Sequence, residues 1–120
     1  MNTRSRKAKG KRLQLKVREF LRNIFTDILE DGDIETTIAS EAGVDIKLSP
    51  LGKKYIPFDI ECKNTETINI WGAIKQAEEN SKVDRIPMVV FSKNREKTYC
   101  VVEFETLMNL IYKVEDKQTT

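Results

Sequence analysis

The sequence predicts an α/β fold in which helices pack on one mixed (α+β) sheet. Residues 44–49 and 58–63 alternate between apolar and polar side chains, which is typical of strands with one buried face. Apolar residues between 11 and 30 recur at spacings of three and four, as on one face of a helix. Residues 87–91 are continuously apolar, which indicates a strand covered on both sides. A chain of 120 residues has room for one such domain.

The N-terminal half is predicted to begin with a helix over about 11–30 and to continue into three strands. Gly32 ends the helix, because glycine readily takes the left-handed conformation of a helix C-cap. Residues 34–39 are rich in β-branched side chains and predict the first strand. The alternating segments 44–49 and 58–63 are the second and third strands, and three strands in succession favour an antiparallel meander.

The C-terminal half is predicted to add two helices and two strands. Polar residues at 64–67 offer caps for a helix over 68–81. Strands at 87–91 and 98–102 are separated by a turn, and a helix over 105–112 closes the fold. We therefore expect a basic flexible arm at 1–10, a single domain at 11–114 and a frayed C-terminal tail at 115–120.

Positive charge is concentrated at the N-terminus. Residues 1–18 contain eight basic side chains and no acid, and because the whole chain carries +2, the other residues together carry −6. A basic arm on an acidic body favours a polyanionic partner such as nucleic acid, whereas a solvated tail is the alternative. The candidate DNA-binding residues are Arg4, Arg6, Lys7, Lys9, Lys11 and Arg12.

Two acidic residues are predicted to face each other across a hairpin formed by the second and third strands. If these strands pair symmetrically about their connection, Asp45 lies directly opposite Glu61, and Lys63 shares their face. Like charges directly opposite each other destabilise a sheet, so this placement predicts a metal cation between the two carboxylates. Asp59 lies on the same face as an alternative ligand, although its position opposite Lys47 favours a salt bridge.

The sequence contains no histidine and two cysteines, Cys62 and Cys100. This composition excludes Ser-His-Asp and Cys-His catalysis and zinc sites built on histidine or on several cysteines. Both cysteines lie in apolar segments, so we expect buried free thiols rather than a disulfide. The chemistry must then come from carboxylates, lysine, hydroxyls and metals that prefer oxygen ligands.

The residues of the predicted hairpin resemble the sequence signature of a known protein family. Asp45, followed after fifteen residues by Glu61-Cys62-Lys63, is similar to the D…E-x-K signature of the PD-(D/E)XK nuclease superfamily. The predicted order of elements resembles the restriction-endonuclease-like αβββαβ core of that superfamily. The chain more closely resembles phage-type Holliday junction resolvases over residues 4–104, in the segments RKAKGKRLQ, DIKLSP, IECKN, IWGAIKQAEEN and PMVVFSKNR. Val44 replaces the proline of the signature, and because that position is not a ligand, we expect the chemistry to be retained.

The resemblance assigns the central roles to three consecutive residues and one aspartate. It implies that Asp45, Glu61 and the backbone carbonyl of Cys62 bind Mg²⁺, with Mn²⁺ as a substitute. It implies that Lys63 orients or helps to deprotonate the attacking water and stabilises negative charge on the phosphate.

Two further residues match the family pattern on the helices. Glu19 corresponds to an acid that completes or supports the metal site, although its neighbours Arg18 and Arg22 also fit a surface ion pair. Gln76 corresponds to a residue that helps to position the water or the phosphate.

The activity implied by the resemblance is metal-dependent resolution of four-way DNA junctions by paired phosphodiester hydrolysis. Two opposed cuts imply a symmetric homodimer, with Trp71, Met108 and Ile111 as interface candidates. Trp71 is otherwise expected in the core or at its rim, and a surface that stacks on DNA is the alternative. A general branched-DNA, repair or restriction-type nuclease and a non-catalytic DNA-binding module are the alternatives. No small-molecule cofactor is expected.

The predicted location is the cytoplasm, of the host cell if a phage encodes the chain. No apolar run approaches the length of a membrane span, and the N-terminus lacks the apolar core of a signal peptide. No contact with a membrane is therefore expected.

Overall fold

The computed structural model describes the backbone of residues 3–38 and 43–119 and the side chains of residues 8–38 and 43–114. The chain folds into helices and short strands, with a 3₁₀ turn at Asp31–Asp33: α1 (Thr3–Ile24), β1 (Ile34–Thr36), β2 (Ile46–Leu48), α2 (Pro50–Tyr55), β3 (Phe58–Asn64), α3 (Ile70–Asn80), β4 (Ile86–Ser92), β5 (Tyr99–Val101) and α4 (Phe104–Thr119). This order confirms the predicted mixed α/β architecture with its αβββαβ core, to which α2 is added between the second and third strands.

The strands form two ladders. β1 and β2 pair antiparallel, with Glu35 opposite Lys47. β4 is the middle strand of a three-stranded mixed sheet, because it pairs parallel with β3 and antiparallel with β5. A backbone hydrogen bond of 2.9 Å from the Asp45 N–H to the Ile60 C=O connects the start of β2 to β3.

The predicted hairpin between the second and third strands is wrong, and so is the meander. Residues 50–55 form a helix because the Ser49 hydroxyl accepts a hydrogen bond of 2.9 Å from the Gly52 N–H and Pro50 occupies the first turn. A serine cap followed by proline favours the start of a helix. β2 pairs with β1 and β3 with β4, so Asp45 is not a ladder partner of Glu61.

The bounds of the two terminal helices differ from the predicted ones. α1 begins at Thr3, so the backbone of residues 3–10 belongs to the helix instead of preceding it, and α1 ends at Ile24 rather than near residue 30. Lys, Arg and Ala are good helix formers, which explains a helical start in a segment that its charge alone marked as an arm. α4 continues to Thr119 through most of the predicted tail.

β3 is covered on both faces. Ile60 and Cys62 point to one face, where they pack in a core with Leu13 of α1. Asp59 and Glu61 point to the opposite face, and they are only 6% and 3% exposed. The alternating pattern predicted that this second face meets solvent, but α3 lies across it.

The second face of the sheet forms a smaller core. Ala73 and Ala77 of α3 pack there against Val89 of β4. Small alanine side chains let the helix approach the sheet closely. This close approach brings the polar residues of α3 within hydrogen-bonding distance of β3.

Two predictions of burial are wrong. Both cysteines are free thiols and Cys62 is buried, but Cys100 is exposed on the short strand β5 at the edge of the sheet. Trp71 is 79% exposed rather than packed in the core or at its rim, because it lies on the side of α3 that faces away from the sheet. Within the described residues, no helix has the length and apolar character needed to cross a membrane.

Candidate active site

Alternate residues of β3 form hydrogen bonds with residues four apart on α3. Lys63 Nζ donates to Gln76 Oε1 at 2.7 Å, and Asn80 Nδ2 donates to Glu61 Oε1 at 2.9 Å. Two residues of a strand span about 6.6 Å and four residues of a helix span about 6 Å. Because α3 runs antiparallel to β3, these two nearly equal distances let both pairs of side chains meet. α3 therefore holds the side chains of Glu61 and Lys63 next to each other.

Asp45 approaches the same part of β3 from the edge of the strand. Its N–H donates to the Ile60 carbonyl at 2.9 Å, and its Oδ2 accepts a hydrogen bond of 2.7 Å from the Cys62 N–H. These two bonds lie on either side of Glu61 in the chain. The structure thus brings Asp45, Glu61 and Lys63 together without the predicted hairpin.

The carboxyl group of Glu61 is difficult to ionise in this environment. The pKa of Glu61 is raised from 4.5 to about 7, and burial is the main cause. The Asp45 carboxylate raises this pKa further, whereas the hydrogen bond from Asn80 and the charge of Lys63 lower it. A cation at the two carboxylates would favour the ionised form of Glu61.

The environment of the Cys62 thiol favours its protonated form at neutral pH. Burial raises the pKa of this thiol, and the negative charges of Asp45 and Glu61 raise it further. A protonated thiol is a poor nucleophile and a poor metal ligand. The backbone of Cys62, rather than its side chain, is therefore the part that can serve the site.

The donor set fits a hard divalent cation. Asp45 and Glu61 supply carboxylate oxygens, and the N–H and C=O of one strand residue point to the same edge, so the Cys62 carbonyl lies on the side of Asp45. Oxygen ligands of this kind suit Mg²⁺-like and Ca²⁺-like ions. In residues 8–38 and 43–114, no three acidic, cysteine or histidine side chains form a metal-binding cluster, so such an ion would take its other ligands from water or substrate.

Glu19 does not join these residues. Its Oε1 accepts hydrogen bonds from Arg18 Nε at 3.0 Å and from Arg22 Nη1 at 3.4 Å. Arg22 also forms an ion pair of 2.8 Å with Glu35 and donates to the Ile34 carbonyl at 2.9 Å. Glu19 is therefore part of an ion-pair cluster between α1 and β1, as the surface-pair alternative predicted.

Asp59 is buried in a different set of contacts. Its Oδ1 accepts from Arg85 Nε at 3.0 Å, and its Oδ2 accepts from the Ser81 hydroxyl at 3.1 Å and the Lys82 N–H at 3.0 Å. The predicted salt bridge to Lys47 is wrong, since Lys47 lies opposite Glu35 in the other ladder. Asp59 anchors the end of α3 to β3 and is not a free ligand.

Sequence reasoning missed Asn80 and Arg85. A signal for Asn80 was present: it follows Gln76 by four residues, so the two side chains share one face of α3. Arg85 lies in the loop before β4, and no periodicity marks it. Its partnership with Asp59 depends on the parallel pairing of β3 and β4, which the sequence did not predict.

A cleft lies beside Lys63 at the end of β3. It has a volume of about 550 Å³, and Lys9 and Gly10 of α1 form part of its wall. Asn64 Nδ2 donates to the Lys9 carbonyl at 3.1 Å and fixes α1 to this end of the strand. Lys9, one of the predicted DNA-binding residues, thus lines the same cleft as the candidate catalytic lysine, and its Nζ lies 3.9 Å from Oε1 of Glu66.

The other basic residues of α1 are less fully described. Lys11 Nζ donates to Thr36 Oγ1 at 2.9 Å, and Arg12 is exposed. The side chains of Arg4, Arg6 and Lys7 lie outside the described residues.

Comparison with known families places the chain among nucleases. A family model with the description "Phage putative PDDEXK endonuclease" matches residues 5–120. Comparisons with curated proteins and with solved structures find no significant match. PD-(D/E)XK nucleases generally use divalent metal ions, and a nuclease of this kind has DNA as its substrate. Because the match covers nearly the whole chain, the chain belongs to this phage PDDEXK endonuclease family and is a nuclease.

Proposed function

We propose that this nuclease resolves four-way DNA junctions by cutting two opposed strands. The observation that carries the proposal is that Asp45, which precedes β2, lies beside Glu61 and Lys63 of β3. The preference for junctions is supported by the resemblance to phage-type junction resolvases in segments such as IECKN and IWGAIKQAEEN. Two cuts in one junction require two sites, so a symmetric homodimer is part of the proposal.

The proposed cation is Mg²⁺, with Mn²⁺ as a substitute, held by Asp45, Glu61 and the Cys62 carbonyl. Mg²⁺ is usually bound by one or two carboxylates and completes its coordination with water and substrate phosphate, which agrees with a site that offers two. When bound, such an ion lowers the pKa of water and neutralises charge on the phosphate oxygens.

We assign to Lys63 the role of holding the reacting groups. An ammonium group has three N–H donors, and the bond to Gln76 uses one of them and fixes its position. In our proposal the others donate to a phosphate oxygen and to the attacking water, and the NH₂ group of Gln76 adds a further donor. Asn80 holds the carboxylate of Glu61 from the same helix.

The proposed DNA contacts are phosphate contacts from α1. Lys9 lines the cleft beside Lys63, so a backbone phosphate bound there would be close to the reacting one. We propose that the remaining basic residues continue this contact along the DNA: Arg4, Arg6, Lys7, Lys11 and Arg12. Binding through phosphates weakens as salt concentration rises.

The test compares a synthetic four-way junction with a linear duplex of the same arms, in Mg²⁺ and in EDTA. We expect paired, symmetric nicks in the junction only, abolished by EDTA and reduced at least ~100-fold in Asp45→Asn and in Lys63→Ala. Asp27→Asn and Lys54→Ala remove the same charges from exposed positions away from the site and should cut normally.

Each other outcome points to a different function. Equal cutting of duplex and junction would replace junction resolution with a general nuclease activity. Junction binding without cutting, unchanged by either substitution, would replace the enzyme with a DNA-binding module, which has no need for the acidic pair or the adjacent lysine.

A further inference from the structure

Helix α4 carries an apolar stripe that the described part of the chain leaves uncovered. Phe104, Met108, Ile111 and Tyr112 are 73%, 41%, 48% and 70% exposed. Their spacing places them on one side of the helix, and such a stripe normally faces a core. None of the α4 side chains from 104 to 114 is buried.

An apolar groove lies at the base of the same helix. It has a volume of about 760 Å³ between α3, β4, β5 and the first turns of α4. Apolar side chains from three elements line it, among them Trp71, Ile74, Ile86, Val89 and Val101. Trp71, which is 79% exposed, forms part of its wall.

The stripe and the groove together expose a large apolar area. Trp71, Phe104 and Tyr112 are each more than two-thirds exposed, and at roughly 150–250 Å² per aromatic side chain they present on the order of 400 Å². Met108, Ile111 and the floor of the groove bring this surface toward the roughly 800 Å² that each partner buries in a stable interface. Monomers rarely expose a contiguous apolar patch above a few hundred Å².

We propose that α4 of a second copy of this chain occupies the groove, in a dimer with a two-fold axis. Each copy has one exposed helical stripe and one open groove beside it, so a two-fold arrangement covers both surfaces on both copies. A closed dimer requires such a self-complementary surface. An unrelated partner would not need the stripe and the groove to occur together on one chain.

The groove lies along a different side of α3 from the residues that contact the candidate site. Trp71 and Ile74 line the groove, whereas Gln76 and Asn80 bond to β3. The inference rests on the proposed function in one respect, since junction resolution needs two active sites in one dimer. The exposed surface itself is independent of any activity.

The first test is the mass of the full-length protein in solution, measured by light scattering without DNA or metal over a wide range of concentration. We expect twice the chain mass of 13.9 kDa. Met108→Glu and Ile111→Glu should weaken dimerisation by about 100-fold or more and leave a folded monomer, as checked by circular dichroism, because both side chains are exposed. Val83→Glu is the matched control, since Val83 is 89% exposed and lies outside both surfaces, and it should remain a dimer.

A second test identifies what fills the groove. Trp71→Cys and Met108→Cys are placed in separate chains in a Cys100→Ser background, and the two proteins are mixed under mild oxidation. We expect a disulfide between the two chains. A third protein carries Trp71→Cys and Met108→Cys in one chain. If a disulfide forms only in this protein, α4 folds back on its own groove and the proposal is overturned.

The other possible outcomes separate the proposed interface from the proposed function. A wild-type monomer at every concentration, or a dimer that withstands both glutamate substitutions, would overturn the interface. A dimer of the predicted kind without nuclease activity would support the interface and overturn only the proposed function.

Discussion

Asn80 donates a hydrogen bond of 2.9 Å from Nδ2 to Oε1 of Glu61, and this bond ties the end of α3 to the carboxylate at the centre of the site. Glu61 is 3% exposed, so water does little to orient it. A hydrogen bond to an ionised group is roughly twice as strong as one between neutral groups. Asn80 therefore both orients Glu61 and favours its ionised form.

Replacing Asn80 with alanine should weaken metal binding. Loss of the hydrogen bond leaves Glu61 less well oriented and raises its pKa, and loss of such supporting contacts typically costs 10–100-fold in metal affinity. The measurement is the Mg²⁺ concentration needed for half-maximal cleavage and for half of the Mg²⁺-induced rise in melting temperature. Glu79→Ala, an exposed neighbour on the same helix, is the control, and an unchanged Mg²⁺ requirement in Asn80→Ala would contradict this role.

The metal-free protein should lose stability as the pH rises from about 4.5 to about 7. The pKa of Glu61 is raised from 4.5 to about 7, so in this window the folded protein holds a proton that the unfolded chain has released. The free energy of unfolding then falls with pH, by about 3 kcal/mol in total, and is constant above pH 7. Chemical unfolding in EDTA at a series of pH values measures this slope.

Glu61→Gln isolates the contribution of this one group. Glutamine cannot ionise, so the variant should match the wild type at low pH and exceed it in stability above pH 7 when metal is absent. Mg²⁺ should remove most of this advantage, because it stabilises the ionised pair in the wild type alone. Parallel pH curves for the two proteins in EDTA would show that Glu61 ionises normally.

The sequence predicted the residues of the site better than the way in which they meet. The alternation in residues 58–63 correctly placed Glu61 and Lys63 on one face of a strand. Apart from α2, the strands and helices were predicted in the right order. The hairpin was wrong because Pro50 and Gly52, which stop strands, here lie in a helix capped by Ser49. Local composition does not distinguish a loop between two strands from a short helix such as α2.

Long-range pairing explains the other differences. The polar face of β3 predicted exposure to solvent, but α3 covers Asp59 and Glu61. Asn80 at the end of α3 and Ser81 directly after it are their hydrogen-bond partners. Arg85 becomes a partner of Asp59 only once β3 and β4 are parallel. No periodicity within one segment carries that information, since it depends on which strands become neighbours.

Arg85→Met should destabilise the protein strongly without affecting metal binding by the folded state. Arg85 pairs with Asp59 at 3.0 Å, and both side chains are almost buried, so its loss leaves an unpaired buried charge, which costs about 3–5 kcal/mol. Arg85 also donates to the carbonyls of Lys53 and Phe58. Urea unfolding measures the loss.

Lys82→Met provides the matched control for Arg85→Met. Lys82 is exposed and only its backbone N–H contacts Asp59, so stability should change little.

Asp59→Asn should bind Mg²⁺ with unchanged affinity at a temperature where it is folded. Loss of Mg²⁺ binding in that variant would show that Asp59, and not only Asp45 with Glu61, is a ligand.

Two glycine substitutions should change stability in opposite directions. Alanine is favoured over glycine inside helices by about 1 kcal/mol. At Gly10 of α1 an added Cβ meets nothing within 4 Å, so Gly10→Ala should stabilise the protein. At Gly52 of α2 the added Cβ would lie 2.7 Å from the Asp33 carbonyl oxygen, which is backbone and cannot move aside like a flexible side chain. Overpacking costs about 1–3 kcal/mol, so Gly52→Ala should lower the midpoint of urea unfolding, and a rise there would mean that α2 is free to shift away from the turn at Asp31–Asp33.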